Sequence, residues 1–317
     1  MKQDWTLEDD LKLKTLADGT KSFTQIGILM KRSGSSCLNR CYKIGAKNTY
    51  RKRYESFDEA FWGTPNLLNS YWAGYSSADC QITKKPSYRL LLSAKDAKQL
   101  ETFKQNCHYT GKLHSYFNGV SDCCLFAVHA CKQWIKDLDA NFGVVLGKSK
   151  RVAPKLESYS LKYAFLIGFI DGDGSIGISE SPTETSSDCL NIVLSSCSKP
   201  VIEWANDLIQ ESVPVNFNQK SKIRNSIRKV SDITSSCHIG GIRALLLYSF
   251  LKDFEVPKLA RKWQQAPILA LLEEKKQKYP ELFERFKIHT TRLLEEASGV
   301  VTDTSFSAPI TSNYQIT

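Results

Sequence analysis

"FLIGFIDGDGSIGIS" (residues 165–179) is an apolar helical run that closes on two acids, each followed by glycine, and leaves in the alternation of a strand. A helix C-terminus disfavours a carboxylate by a few tenths to about 1 kcal/mol, because its unpaired carbonyls carry partial negative charge. Asp171 and Asp173 therefore need a reason to stand where Lys or Arg is usual. The pattern returns in worn form at 71–80, "YWAGYSSADC", which sets Asp79 and Asp173 at matching positions 94 residues apart.

Working outward, each copy is followed by the same succession. Strand-like alternations come first: "YRLLLS" and "GKLHSYF" in one copy, "CLNIVLSS" and "KSKIRNSIRKV" in the other. A short strand and an amphipathic helix follow in "CCLFAVHACKQWIKDLDANFGV" and "SSCHIGGIRALLLYSFLKDFEV", and basic stretches, "GKSKR" and "PKLARKW", close the copies. Self-similarity at this spacing predicts an α+β protein of two αββαββα repeats over 57–152 and 153–270, with motif helices at 66–78 and 160–172. Beyond them, 271–317 reads as a charged helix and a polar tail rich in Ser and Thr.

The first 56 residues read differently. Thr6 is a candidate N-cap with acids at 8, 9 and 10 in the first helical turn, where the dipole favours them. Leu7, Leu11 and Leu16 with Trp5 give that helix its buried side, and Gly19 ends it. A second helix places Phe23, Ile26 and Met30 inward, and "SCLNRCYKI" makes a third. Three short helices with a basic third one make a helix-turn-helix module with a basic linker. Cys37 and Cys41 have the spacing of half a zinc site, but no second Cys/His pair lies near, and one face of a buried helix explains them better.

The chain has 317 residues, 42% of them hydrophobic, which allows a substantial core and more than one domain. No apolar run reaches the roughly 18 residues of a membrane span. The start is too acidic for a signal peptide, and the ten cysteines follow no disulfide framework. These features point to the cytoplasm or another reducing, DNA-containing compartment. The net charge of +10 is concentrated: residues 21–54 hold nine Lys/Arg and 218–230 hold five, with no acid in either run. Such runs are the electrostatic footprint of a polyanion.

Residues 166–174, "LIGFIDGDG", closely resemble the signature of the LAGLIDADG homing endonucleases, and "WAGYSSADC" at 72–80 is similar to a degenerate second copy. The Trp5, acid-cluster and "RSGSSCLNR" pattern resembles the Myb/SANT-like family. The first resemblance implies two motif helices packed at a pseudo-two-fold axis, where Gly74 and Gly168 allow close approach. It also implies Mg²⁺ (or Mn²⁺) held by Asp79 and Asp173 with the carbonyls of Ala78 and Gly172. Asp171 falls to capping and packing. A lysine beside the metals is implied from each closing stretch: Lys148 or Lys150, of which Lys150 is taken, and Lys262. Phosphate contact or plain surface charge is the other reading of these lysines.

The antiparallel strands would form a saddle over the DNA major groove. Lys220, Lys222 and Arg224 alternate on one face, with Gln219, Asn225 and Arg228 beside them. Lys85, Arg89, Lys112 and His114 are the sparser counterparts in the first repeat, and Arg40, Lys43 and Lys47 those of the N-terminal module. The implied function is that of a monomeric, site-specific double-strand DNA endonuclease with a long asymmetric target. The alternative is a decayed relative, either an intron-splicing maturase that binds intron RNA or a DNA-binding regulator. Ser77 and Cys80 depart from the motif and put full activity, rather than the fold, in question.

Overall fold

The computed structural model describes residues 4–19, 21–48, 55–117, 119–179, 188–213, 222–229 and 232–296. The chain divides into two compact units, Met1–Ser56 and Phe57–Thr317.

In the first unit, α1 (Leu7–Leu16), α2 (Phe23–Met30) and α3 (Gly34–Lys43) start at Thr6, Ser22 and Ser33, each of whose hydroxyls accepts a hydrogen bond from the backbone amide three residues on. Leu13, Ile26, Met30, Cys37 and Cys41 form the core. The expected buried side of α1 is corrected: Leu7 and Leu11 are 80% and 61% exposed, and Leu13 is the buried residue. Leu11 and Leu13 lie about 160° apart around a helix, so only one of the two can face the other helices. Burial raises the pKa of both core thiols, and the described residues contain no group of metal-ligating side chains.

The acid cluster of α1 holds this unit together. Asp9 accepts from Arg32 at 2.9 Å, and Asp10 takes Arg40 Nε and Nη2 at 2.7 and 2.6 Å. The Arg32 guanidinium lies 4.2 Å from the Trp5 ring centroid and that of Arg40 5.6 Å. Arg40, expected to meet phosphate, makes a bidentate pair with Asp10 in this unit. Lys43 and Lys47 are exposed.

The second unit contains the repeat. Its first half runs α4 (Leu67–Asp79), β1 (Cys80–Thr83), β2 (Ser87–Ser93), α5 (Ala97–Asn106), β3 (His114–Phe117), β4 (Asp122–His129) and α6 (Lys132–Phe142). The second half runs α7 (Tyr159–Asp173), β5 (Gly174–Ser179), β6 (Cys189–Ser196), α8 (Lys199–Ser212), β7 (Lys222–Lys229), β8 (Asp232–Gly240) and α9 (Gly241–Leu251). Each half is αββαββα, and the antiparallel sheets have equivalent orders, β1-β2-β4-β3 and β5-β6-β8-β7. The cores differ in chemistry. Trp62, Trp72, Trp134, Phe103 and Phe126 fill the first half, whereas Leu190, Ile192, Leu194, Val201 and Leu245 fill the second. One architecture thus survives two different packings.

Helices α4 and α7 join the halves with their backbones in contact. A Cβ built on Gly74 would lie 1.9 Å from the Phe165 carbonyl oxygen, and one on Gly168 would lie 1.8 Å from that of Tyr71. The same Cβ on Gly74 would lie 2.9 Å from Phe169 N, and that on Gly168 2.9 Å from Tyr75 N. This reciprocity is a local two-fold relation, and only glycine permits it.

After α9 come α10 (Ala260–Trp263), α11 (Ala266–Lys278) and α12 (Pro280–Glu296). Ile268, Leu271, Leu272 and Phe286 are buried in the same core as the repeats. The boundary expected at 270 therefore falls inside α11, and the charged C-terminal segment forms two helices that extend the second half. Its polarity hid a buried stripe. Among the described residues no helix is long and apolar enough to cross a membrane.

Candidate functional site

Asp79 and Asp173 are the last residues of α4 and α7, and each helix passes straight into a strand through an extended residue, Cys80 or Gly174. Asn66 caps the start of α4 through a reciprocal pair with Asn69, and Ser158 caps α7. The glycine crossing therefore fixes where both carboxylates emerge. Asp79 Oδ2 would lie 3.4 Å from a Cβ on Gly172, and that Cβ would meet the Ala78 methyl at 2.2 Å. Burial, followed by the charge of Asp173, pushes the Asp79 carboxyl up to about 6.

Three cations act on this junction. Lys148 Nζ pairs with Asp173 Oδ2 at 2.5 Å and also bears on Asp79. Lys262 Nζ donates to the carbonyls of Ile170, Asp171 and Gly174, each at 2.7 Å. Arg151 donates to the carbonyls of Ser77 and Cys80 at 2.5 Å. Ser77 and Cys80 occupy in α4 the places that Asp171 and Gly174 occupy in α7. Arg151 is thus the counterpart of Lys262, each a cation seated on the carbonyls that end a motif helix. These two clamps offset the dipole penalty on the aspartates, a contribution the sequence did not reveal. Lys262 is buried, and burial holds its ammonium down to about 8.

Lys150, the lysine expected beside the metals, stands outside this cluster of contacts. It is exposed, and its amide closes a tight turn onto Gly147. That turn, Lys148–Lys150, presents Lys148 to Asp173 and passes Arg151 inward. Asp171 is almost wholly buried. It accepts from Trp263 Nε1 at 2.7 Å, Tyr71 Oη at 2.9 Å and Leu259 N at 3.0 Å, and so ties α7 to α4 and to the closing stretch. Its counterpart Ser77 has a buried hydroxyl with no hydrogen-bond partner among the described residues, so the two halves are unequal here. The closing stretches also cross between halves: Arg261 holds Asp96 through two bonds of 2.9 Å, and Ser198 Oγ donates to the Arg151 carbonyl at 2.6 Å.

The donor set suits a divalent cation. Two partly buried carboxylates converge, a lysine ammonium already stands against one of them, and Arg151 and Lys262 engage carbonyls on either side of Ala78 and Gly172. Mg²⁺ takes few protein oxygens and keeps its waters, so two aspartates are an adequate anchor.

The expected DNA-contacting residues are spread over strands and turns. Arg89 is on β2, on the face opposite buried Tyr88 and Leu90, and its Nε is buried without a hydrogen-bond partner among the described residues. Lys85 is exposed in the β1–β2 turn, Lys112 is exposed just before β3, and His114 begins that strand. Lys222 and Arg224 pair with His238 and Ser236 across β7 and β8, and a bulge between Ile227 and Lys229 takes Arg228 out of the ladder. Gln219 and Lys220 lie outside the described residues. Arg151 and Trp263 are the site residues that sequence reasoning passed over, and Lys148, the alternative to Lys150, is the lysine of the first closing stretch that meets Asp173. The run "GKSKR" signals a cation but does not say which one turns inward.

With two αββαββα halves joined through glycine-bearing motif helices, the chain has the fold that the LAGLIDADG resemblance implies. No family model matches it, and no curated protein matches it. Among solved structures it is similar to the I-LtrWI LAGLIDADG homing endonuclease bound to target DNA, at 14% identity and a TM-score of 0.46, over 74% of this chain and 98% of that one. It is also similar to the LAGLIDADG meganuclease I-CpaMI bound to uncleaved DNA, at 14% identity and 0.43, over 73% and 98%. A third is the meganuclease I-AabMI bound to uncleaved DNA, at 16% identity and 0.40, over 73% and 98%.

Proposed function

We propose that the chain is a site-specific double-strand DNA endonuclease that hydrolyses phosphodiesters at the junction of α4 and α7. The observation that carries this reading is the convergence of Asp79 and Asp173 on helices locked together at Gly74 and Gly168. A structural role alone leaves two partly buried carboxylates at helix C-termini without a purpose.

In this reading Asp79 and Asp173, with the carbonyls of Ala78 and Gly172, hold Mg²⁺ or Mn²⁺. The cation, when bound, makes water acidic enough to attack and stabilises the attacking and leaving oxygens of a phosphodiester. Arg151 and Lys262 keep the helix ends in register, so that the two carboxylates hold their separation while the substrate is bound. Lys148 neutralises Asp173 in the free protein, and with a cation held by the two aspartates its ammonium would be free to meet a phosphate. Arg89, Lys112, Lys222 and Arg224 lie on or beside the sheets on which the duplex would rest, where cations supply the salt-dependent part of affinity. One chain supplies both halves of the site, so a monomer suffices.

The test is cleavage of a selected duplex target with Mg²⁺ and with EDTA. Asp173→Asn is expected to reduce cutting at least a thousandfold while changing DNA affinity less than threefold, because it removes charge but little volume. Cutting by the variant with undiminished metal dependence overturns the shared site. Tight duplex binding with no cutting by the unaltered chain supports instead the decayed regulator, and preferential binding of intron RNA supports the maturase.

A further inference from the structure

Resting on the reading that duplex DNA lies across the outer faces of both sheets, we propose that the two halves read their half-sites by different chemistry. At the row of Leu91 and Leu125 the first half recognises the C5-methyl groups of thymine, and at the matching row of Ser195 and Ser236 the second recognises base edges by hydrogen bonds.

The strand registers make the halves comparable position by position. Cys80 and Gly174 each follow a motif aspartate and pair with Leu90 and Leu194, which pair in turn with Phe126 and Cys237. Leu91 therefore corresponds to Ser195, and Leu125 corresponds to Ser236. On the outer face of the first sheet Leu91 pairs with Leu125, and Leu125 with His114. On that of the second, Ser195 pairs with Ser236, and Ser236 with Arg224. One row across the sheet thus reads Leu–Leu–His in one half and Ser–Ser–Arg in the other. Beside it, Cys123 corresponds to Thr234 by the same registers.

The leucine pair has no place in the core. Leu91 stands between buried Leu90 and Leu92 and is itself 38% exposed, and Leu125 is half-buried between buried Cys124 and Phe126. Neither side chain can bond to a phosphate or a base edge. The thymine methyl is the apolar group the major groove offers, and covering it removes apolar surface from water on both partners. Arg89, two residues along the strand, and His114, across it, flank the pair with groups that can hold the duplex backbone. In the second half the hydroxyls of Ser195 and Ser236, and the position of Arg224, supply donors and acceptors instead. Ser236 Oγ already exchanges a hydrogen bond with His238 Nε2 at 3.1 Å.

The experiment uses the full chain. Its target is selected from a randomised duplex library in metal-free buffer, and thymines are then replaced by uracil in one half-site at a time, which removes the methyl and leaves pairing unchanged. Uracil in one half-site is expected to weaken binding about fourfold for each methyl covered, and in the other by less than twofold. The double variant Leu91→Ser, Leu125→Ser is expected to lose that sensitivity, which assigns the sensitive half-site to the first sheet. Equal losses in both half-sites, a sensitive half-site that stays sensitive in the double variant, or a target lacking thymine in both halves overturn the inference. Should the double variant fail to fold, the comparison of half-sites with the unaltered chain decides alone. Absence of any sequence-selective duplex binding overturns the underlying reading as well, and is distinguishable from these results.

Discussion

Asp79 is the residue whose surroundings most constrain the chemistry. Its carboxyl stands at about 6 against an ordinary 3.8, raised first by burial and then by Asp173. A folded-state value above the unfolded one means that the folded chain binds the extra proton between these two limits. Metal-free stability therefore falls as pH rises through that window and recovers as pH falls back. A divalent cation needs the deprotonated carboxylate, so its binding is expected to weaken below about pH 6 by about tenfold per pH unit. Calorimetric titration of Mg²⁺ at several pH values measures this, and a flat affinity between pH 5 and 7 contradicts it. The clamps give a second prediction at this scale. Arg151→Met leaves the Ser77 and Cys80 carbonyls without their donor and is expected to cost about 3 kcal/mol. Lys150→Met, on an exposed side chain, is expected to leave melting temperature and cleavage unchanged. Equal effects of the two variants would return Lys150 to the site.

At the scale of the element, the junction of α4 and α7 depends on two missing methyl groups. Gly74→Ala or Gly168→Ala places a Cβ under 2 Å from a carbonyl oxygen of the facing helix. Backbone cannot rotate out of the way as a side chain can, so the helices must separate. Each variant is expected to lose about 3 kcal/mol or more and to abolish cutting, with the loss read in thermal melts. A variant melting within 2 °C of the parent would show that the helices have slack. These two helices are the most legible part of the sequence. Glycine inside an apolar helix weakens it unless a close backbone contact offsets the loss, and an acid at the helix end adds a second cost. The element order after each motif is legible through its period. What stays hidden is decided by three-dimensional register. The sequence does not show that Asp10, thirty residues before Arg40, is its ion-pair partner. Three of the last four residues of "GKSKR" are cationic, and only the short turn at Lys148–Lys150 separates an exposed Lys150 from a buried Arg151. The stripe that buries Ile268, Leu271 and Phe286 lies beneath a charged surface that reads as a solvated helix.

For the whole molecule, the separation into two cores sets what each part can do alone. Among the described residues the smaller core spans Leu13 to Cys41 and the larger Phe61 to Phe286, and neither includes a residue of the other unit. A chain lacking residues 1–56 is therefore expected to fold and keep its junction of aspartates. The smaller unit uses Arg32 and Arg40 to hold Asp9 and Asp10, so its described exposed cations on and just after α3 reduce to Lys43 and Lys47. If these meet phosphates, each contributes nearly one unit to the slope of log affinity against log salt. Arg40→Gln should then lower the stability of the unit and leave that slope unchanged, whereas Lys43→Gln should flatten it by about one and leave stability unchanged. Removing residues 1–56 should weaken duplex binding, flatten the slope by two or more, and leave the cut position where it was. In the proposed function the cut is placed by Asp79 and Asp173, which the smaller unit does not supply. A truncated chain with undiminished affinity and slope would make the module a protein-docking unit, for which exposed Leu7 and Leu11 offer an apolar face. A shifted cut would mean that the module sets the register of the duplex on the sheets, and the division between anchoring and cutting would fail.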